Sequence, residues 1–514
     1  MESLNAPDES KHEPEASGTP RKDSYGEIIR SSTLIGGSSL LNLAIGIIRT
    51  KAMAMFLGPA GFGLMGTLMS IADLVRSVAE LGINSSGVRQ IAESAGSGDA
   101  IKIARTAKIL RYTALVLGLI AAVLVLGFSG VIATVTFGNV DNIVLVALLA
   151  PVVFLRLVAD GQSALVQGLR RIGDLARLGF LGSLIGTMVS VPLVYWLRKD
   201  GIAWSLIAVA GASALVAWWY GRKVDLVPVS LTRYQVSQEI SDLLKLGVAF
   251  MASGLLTVGA SYVVRLIVVR YDGLQGAGLY QASWTLGGLY VGFVLQAMAA
   301  DFYPRLVGVV RNDAECNRLV NEQAQVSLLM AAPGVVATLA FAPVVIHLFY
   351  SADFAGATDT LRWIGLGMGL RVITWPIGYV IVAKGTRSIF FGVELAWTVV
   401  NIGASWVLVS LVGVVGAGIA FFISYIFHGV VVYLVVAKLT GFRWSGATLK
   451  AGGLTLTAAG LVFSNYYLLS NDWGMILNAI IFLAVTTYSI HTLLSLSVPN
   501  LFTERLRRLR LRFL

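Results

Sequence analysis

Apolar runs of about twenty residues recur from residue 31 almost to residue 495, separated by short polar segments rich in Gly, Pro and Arg. Such a run, wound as a helix, crosses a hydrocarbon core of roughly 30 Å. Helices are the element required, because in lipid each span must satisfy its own backbone hydrogen bonds. A membrane β-barrel would instead be written as short alternating strands. The pattern predicts fourteen spans, at 31–56, 62–83, 108–129, 143–163, 175–197, 202–220, 243–268, 277–299, 324–349, 361–383, 388–411, 414–437, 447–468 and 474–495.

Composition agrees with this pattern. Of 514 residues 56% are hydrophobic and 13% charged, with a mean hydropathy of +0.77; soluble domains carry about 25% charged residues. The single cysteine, Cys316, rules out a disulfide framework, and His12, His347, His428 and His491 are scattered singly, so no metal site is assigned. Residues 1–29 are polar and rich in Pro, Glu and Ser, which reads as a disordered tail without a cleaved signal peptide.

Lys and Arg crowd one set of span ends, at Arg89, Lys102, Arg105, Arg170, Arg222, Arg305, Lys384, Lys438 and the C-terminal arginines among others. The opposite ends hold Arg198, Lys199 and Arg270. The positive-inside rule then places both termini in the cytoplasm. The net charge of +11 thus faces an anionic leaflet, and a nucleic-acid role needs no consideration. In 496–514, Phe502, Leu506, Leu509 and Phe513 share one helical face among arginines, as in an interfacial helix; a basic tail that only enforces topology fits equally.

Two of the short turns are spelled alike. "LGPAGFGLMG" (57–66) and "YDGLQGAGLYQ" (271–281) share G-x-x-G-x-G-L, with Arg49 and Arg265 in the apolar runs ahead of them. A shift of 215 residues lays Gly58, Gly61 and Gly63 on Gly273, Gly276 and Gly278, and Arg156 on Arg371; within one residue it also pairs Arg49 with Arg265 and Arg89 with Arg305. Spans 1–6 therefore map on spans 7–12. An even number of spans per half makes this a parallel repeat, which usually surrounds a path between its halves. A third G-x-x-G-x-G at Gly413, Gly416 and Gly418 has no arginine ahead of it, so the glycines alone are a weak signal.

Charge inside the spans narrows the function. Arg49, Lys51, Arg76, Arg156, Arg265 and Arg371 face the acids Asp73, Glu80, Asp160 and Glu394. An ionisable residue at mid-bilayer costs ~2.5–3.5 kcal/mol on insertion scales and so faces protein or water. Asp73, Arg76 and Glu80 share a helical face and Arg156–Asp160 is an i,i+4 pair, so local neutralisation is expected there. Arg49, Arg265 and Arg371 have no acid within a turn and are expected to line a central cavity. Surplus guanidinium in such a cavity suits phosphate, whose oxygens it pairs bidentately. "AADFYPRL" (299–306) puts Asp301, Pro304 and Arg305 at the cytoplasmic edge, with Pro304 expected to end span 8. "WPIGYVIVAKG" (375–385) puts a proline one turn past Arg371.

"SSTLIGGSSLLNLAIGIIRTKAMAMFLGPAGFGLMG", "LGINSSGVRQIAES", "DFYPRL", "LVNEQ" and "WPIGYVIVAKG" together resemble the Wzx-type polysaccharide flippases, or O-antigen translocases, of the multidrug/oligosaccharidyl-lipid/polysaccharide (MOP) exporter superfamily. The resemblance spans residues 30–495. It implies an all-α MOP fold with an N-lobe (30–220), a cytoplasmic linker (221–242), a C-lobe (243–438) and two extra helices (439–495). It also implies a monomer in the bacterial inner membrane, alternating access, and a cargo of undecaprenyl-pyrophosphate-linked oligosaccharide such as an O-antigen unit. Polysaccharide assembly proteins are its implied partners. The pyrophosphate role carries to Arg49, Arg265 and Arg371, then to Arg76 and Arg156; H+ or Na+ coupling carries to Asp73, Glu80, Asp160 and Glu394, with no bound cofactor. The alternatives are a lipid II flippase or a multidrug exporter of the same superfamily. A membrane glycosyltransferase or polymerase would need convergent acid/base carboxylates, for which Asp353 and Asp359 are the main loop candidates.

Overall fold

The computed structural model describes residues 22–230, 232–469 and 471–497; side chains are described from Leu41 onward, except at 231, 233, 242, 245–246, 248–250, 252–253, 293, 296–301 and 470–472. Every regular element among the described residues is helical. In chain order these are α1 (Lys22–Ala79), α2 (Ile83–Gly96), α3 (Ala100–Gly127), α4 (Ser129–Phe137), α5 (Ile143–Ala147), α6 (Leu149–Gly168), α7 (Ile172–Leu197) and α8 (Gly201–Arg222). They continue with α9 (Arg233–Gly308), α10 (Asp313–Ala340), α11 (Ala342–Phe349), α12 (Thr358–Ala383), α13 (Arg387–Val412), α14 (Val414–Thr440), α15 (Gly446–Leu468) and α16 (Asn471–Ser497).

Among the described residues, eleven helical stretches are long and apolar enough to span a membrane. Three of them, at 41–79, 172–222 and 254–292, are long enough for two spans each, which restores the fourteen predicted runs. Two of the long helices are pairs merged across a kink. In α1 the kink is Gly58 (φ 64°, ψ −179°) and in α9 it is Gly273 (φ 66°, ψ −168°), a backbone region that only glycine enters cheaply. The repeated turn is thus the same bend made twice. Gly413 (φ 66°, ψ −151°) makes it a third time between α13 and α14, so the glycine pattern marks this bend and not the repeat.

The sequence also writes the helix starts. Thr232 and Gln235 form a reciprocal capping box before α9, while Asp99, Asn312 and Ser445 cap α3, α10 and α15 with side-chain oxygens. Several boundaries differ from expectation. Residues 22–29, assigned to the polar tail, open α1, whereas residues 1–21 and 498–514 lie outside the described residues. Span 9 breaks at Phe341 into α10 and α11, and α2 is an amphipathic helix the apolar runs did not announce. Pro304 does not end span 8. The helix passes through it to Gly308, held by Phe302 and Leu306, both fully buried in an apolar cluster with Cys316.

One lobe packs α1, α3, α6, α7 and α8 together, and the second packs α9, α10, α12, α13 and α14; α15 and α16 lie against α10. The lobes meet along α1 and α9. At the end carrying the glycine bends, a Cβ on Gly63 would fall 2.1 Å from the Leu274 carbonyl oxygen, and one on Gly278 would fall 1.9 Å from that of Pro59. The two backbones touch because neither residue has a side chain. Beside them Phe62, Tyr350 and Phe354 pack with ring centroids 5.0–5.7 Å apart, inside an apolar cluster that draws from both lobes. Lys51 Nζ donates to the Leu348 carbonyl (2.8 Å) and Thr136 hydrogen-bonds Tyr262 (2.7 Å) across the same seam. At the basic end the contacts are a Gly82–Gly247 backbone approach and a Thr106–Glu239 hydrogen bond of 2.6 Å.

Candidate functional site

Three cavities lie between the sealed bend end and the basic end. The largest, about 580 Å³, sits between the lobes and is walled by Asp73, Arg76 and Glu80 on one side and by Tyr280, Trp284 and Arg371 on the other. A second, about 390 Å³, enters the N-lobe past Arg49, Arg156, Ser190 and Ser205 and reaches Gln281 and Thr285 of α9. A third, about 230 Å³, enters the C-lobe and shares Thr257, Arg371, Trp397 and Tyr425 with the central one.

The part-buried charges of α1 and α6 pair between helices, and of the local pairing expected from spacing a looser Arg76–Glu80 contact remains. Arg76 donates to Asp160 (2.5 Å) and Arg156 donates to Asp73 (2.7 Å), two crossed pairs joining α1 to α6. Arg76 lies a looser 3.9 Å from Glu80, in the turn that follows α1. Arg156 leaves its i+4 neighbour because α1 packs beside α6 and an extended guanidinium reaches a facing carboxylate with better geometry. Such pairs, part-buried and each with a partner on another helix, lock two helices in register.

Of the three arginines without a nearby acid in sequence, two face cavities. Arg49 lines the N-lobe cavity together with another cation, Arg156, and has no carboxylate partner among the described residues. Arg371 lines both the central and C-lobe cavities, stacked 5.4 Å from the Trp375 ring, with its Nε unpartnered. The third departs from expectation. Arg265 is only 6% exposed and lines none of the three cavities; its Nη1 donates to the Gly66 carbonyl and its Nη2 to Gln281 Oε1. Gln281 in turn donates to Thr285 (3.0 Å). Arg265 is a strut between α9 and α1, set where the glycine seam brings a bare carbonyl within its reach.

Glu394 stands on the C-lobe cavity wall with His428 Nε2 at 3.6 Å. His428, together with Trp375, Tyr379 and Trp397, joins the wall although residue spacing alone did not single it out. The available signal was a stripe of aromatic and polar residues at i, i+4 and i+7, as in Phe390, Glu394 and Trp397. Arg305 is exposed near the basic end of α9 beside Pro304, while the side chain of Asp301 lies outside the described residues. Arg362, counted within span 10, is 3% exposed near the bend end, held by Asp359 (3.2 Å) and the Tyr466 ring. That contact also occupies one of the two loop acids considered for catalysis.

Two bent-helix lobes, a seam of glycines and a polar interior define a multi-pass membrane protein with the transporter fold of the MOP superfamily. A solved lipid II flippase, MurJ, in an inward closed conformation superposes with a TM-score of 0.67 at 15% identity, covering 90% of this chain and 99% of that one. An inward-facing multidrug resistance MATE transporter of the MOP superfamily gives 0.66 at 19% identity, covering 79% and 94%. Residues 52–359 match the polysaccharide biosynthesis protein family, and the chain belongs to it. A lipid III flippase of Escherichia coli (strain K12) is 24% identical over 417 residues, covering 78% of this chain and 96% of the relative.

Proposed function

We propose that the chain is a flippase of the bacterial inner membrane that carries an undecaprenyl-pyrophosphate-linked oligosaccharide, an O-antigen or related repeat unit, from the cytoplasmic to the outer leaflet. One observation carries the reading: Arg49 faces the N-lobe cavity and Arg371 the central cavity between the lobes, and neither is paired with a carboxylate among the described residues. A pyrophosphate supplies the missing anion, and the guanidinium fork matches its oxygens. An organic-cation exporter would place unpaired acids there instead. The family and the lipid III flippase relative point the same way.

In this reading the basic end faces the cytoplasm and the glycine seam closes the outer side. Arg76 and Arg156, held by Asp160 and Asp73, form a second tier that a phosphate reaches by competing with the carboxylates. Coupling to H+ or Na+ falls on Asp73, Glu80 and Glu394 at the cavity walls, and on Asp160 behind Arg76. A lipid II-type cargo is the second reading, favoured by the match to 99% of the MurJ chain.

The test is reconstitution in liposomes with fluorescent pyrophosphate-linked oligosaccharides, muropeptide-bearing lipid II and a lipophilic cation dye. Protein-dependent exchange of the oligosaccharide between leaflets, faster than that of the other two, is the expected result. Exchange of the dye alone would overturn the proposal, and preference for lipid II would establish the second reading.

A further inference from the structure

The C-lobe cavity is not shaped for phosphate. Helix α12 presents Arg371, Trp375 and Tyr379 at i, i+4 and i+8, and α13 presents Glu394 and Trp397; His428 of α14 completes the wall. Trp375 and Tyr379 meet edge to face at 5.6 Å, Trp397 and Tyr425 likewise at 5.6 Å. Flat apolar ring faces thus stand beside a carboxylate, an imidazole and a guanidinium in one small space. Ligand pockets are built this way, with aromatic walls and a few polar groups that fix orientation.

Three of those polar groups have no partner. Trp397 Nε1, His428 Nδ1 and Arg371 Nε are all shielded and make no hydrogen bond among the described residues; Trp397 and His428 are 9% and 6% exposed. These atoms are closed off from the space, so the groups that meet a ligand are the rings, the Glu394 carboxylate and the other nitrogens of His428 and Arg371. The ligand must offer hydroxyls that both donate and accept, and apolar C–H faces to lie on indole. A sugar ring does both. The volume, about 230 Å³, is below the usual range for drug-sized ligands and suits one ring better than a chain of them. Glu394 accepts from hydroxyls and opposes a carboxylate, which favours a neutral ring over a uronate.

We infer that the C-lobe cavity is a saccharide subsite, which takes one neutral sugar ring of the lipid-linked head group while its pyrophosphate lies on the arginines of the central and N-lobe cavities. The inference rests on the flippase reading for its cargo, and the subsite adds selectivity for the sugar to an otherwise general phosphate grip. Arg371, shared by both cavities, stands at the junction between ring and phosphate.

The full-length protein in nanodiscs is titrated with three probes: a short-chain polyprenyl pyrophosphate, the same lipid bearing one hexose or N-acetylhexosamine, and the free methyl glycosides of those sugars. The sugar-bearing lipid is expected to bind about tenfold tighter than the bare one, the gain of one or two hydrogen bonds with stacking. His428→Leu removes that gain and leaves the bare lipid's affinity unchanged; Trp397→Phe, which keeps a ring, loses part of the gain. Equal affinity for both lipids in the unaltered protein, with no glycoside binding, overturns the subsite. A glycoside that binds in a Trp397-dependent manner while neither lipid does would keep the subsite and sink the flippase reading.

Discussion

The N-lobe and the C-lobe carry the same bend in the same backbone conformation, yet their interiors are furnished differently. In the N-lobe, Arg156 is held by Asp73, and Arg49 stands beside it without an acid. In the C-lobe, the matching Arg371 lies against Trp375 among aromatic rings, and the matching Arg265 is withdrawn into a strut. A duplicated scaffold has kept its hinge glycines and traded its charges. One half grips with guanidinium and carboxylate, and the other offers ring faces and hydrogen-bond donors. Symmetry therefore predicts where a residue sits in the fold, but its partners decide what it does.

The largest effect is expected where the two halves are most alike, at the seam. Gly63→Leu or Gly278→Leu forces side-chain atoms into a backbone less than 3 Å away, and the lobes must part there. Flipping in liposomes should fall to background, and a cysteine introduced at Thr285 should become reactive to a thiol reagent from the bend side. Gly46→Ala, at a position with nothing within 4 Å, should flip as the unaltered protein does. Full activity of Gly278→Leu would show that the seam is not needed for closure.

Next comes the divergence of the matched arginines. Arg49→Ala and Arg371→Ala should each lower affinity for a pyrophosphate lipid about 10- to 100-fold, the loss of charge-assisted hydrogen bonds, with little change in thermal midpoint. Arg265→Ala should do the reverse, lowering the midpoint and leaving affinity within about threefold, because its donors serve Gly66 and Gln281. Calorimetric titration beside thermal unfolding in detergent separates the two. An Arg265→Ala variant that is stable and binds poorly would return this residue to the binding site.

How much of this was written in the sequence follows from the range of each interaction. The spans, the bends and their repetition were legible, since hydrophobic length and glycine spelling are local properties that lipid and backbone sterics read directly. Arg371 was legible as a cavity residue because no acid stood near it in the chain. Arg265 looked identical by that criterion; its partners are a backbone carbonyl 199 residues away and a glutamine across the bend, and neither carries a charge to notice. The aromatic wall was hidden for a similar reason. Trp375, Trp397 and His428 come from three helices, and each alone resembles ordinary core.

The smallest effect tests the charge pairs that sequence spacing placed along single helices. Arg76, Asp73, Arg156 and Asp160 could be neutralised along each helix or across to the next, and the two arrangements give different couplings. In the crossed arrangement a double-mutant cycle on Arg76→Gln and Asp160→Asn should return an interaction of about 1 kcal/mol, and one on Arg156→Gln and Asp73→Asn a similar value. The intrahelical Arg156–Asp160 cycle, which has no direct contact behind it, should give a smaller value. Partial exposure of these side chains keeps the expected values small: Arg76 retains 33% and Asp73 42% of its accessibility, so water screens each pair. Exchanging the charges, Arg76→Asp with Asp160→Arg, should recover most of the stability that either reversal alone removes, since the pair spans two helices and its sense can be inverted. The same exchange would leave the variant short of full transport, because the guanidinium then projects from α6 and no longer stands on the wall of the central cavity, where Arg76 now faces Arg371 across the path.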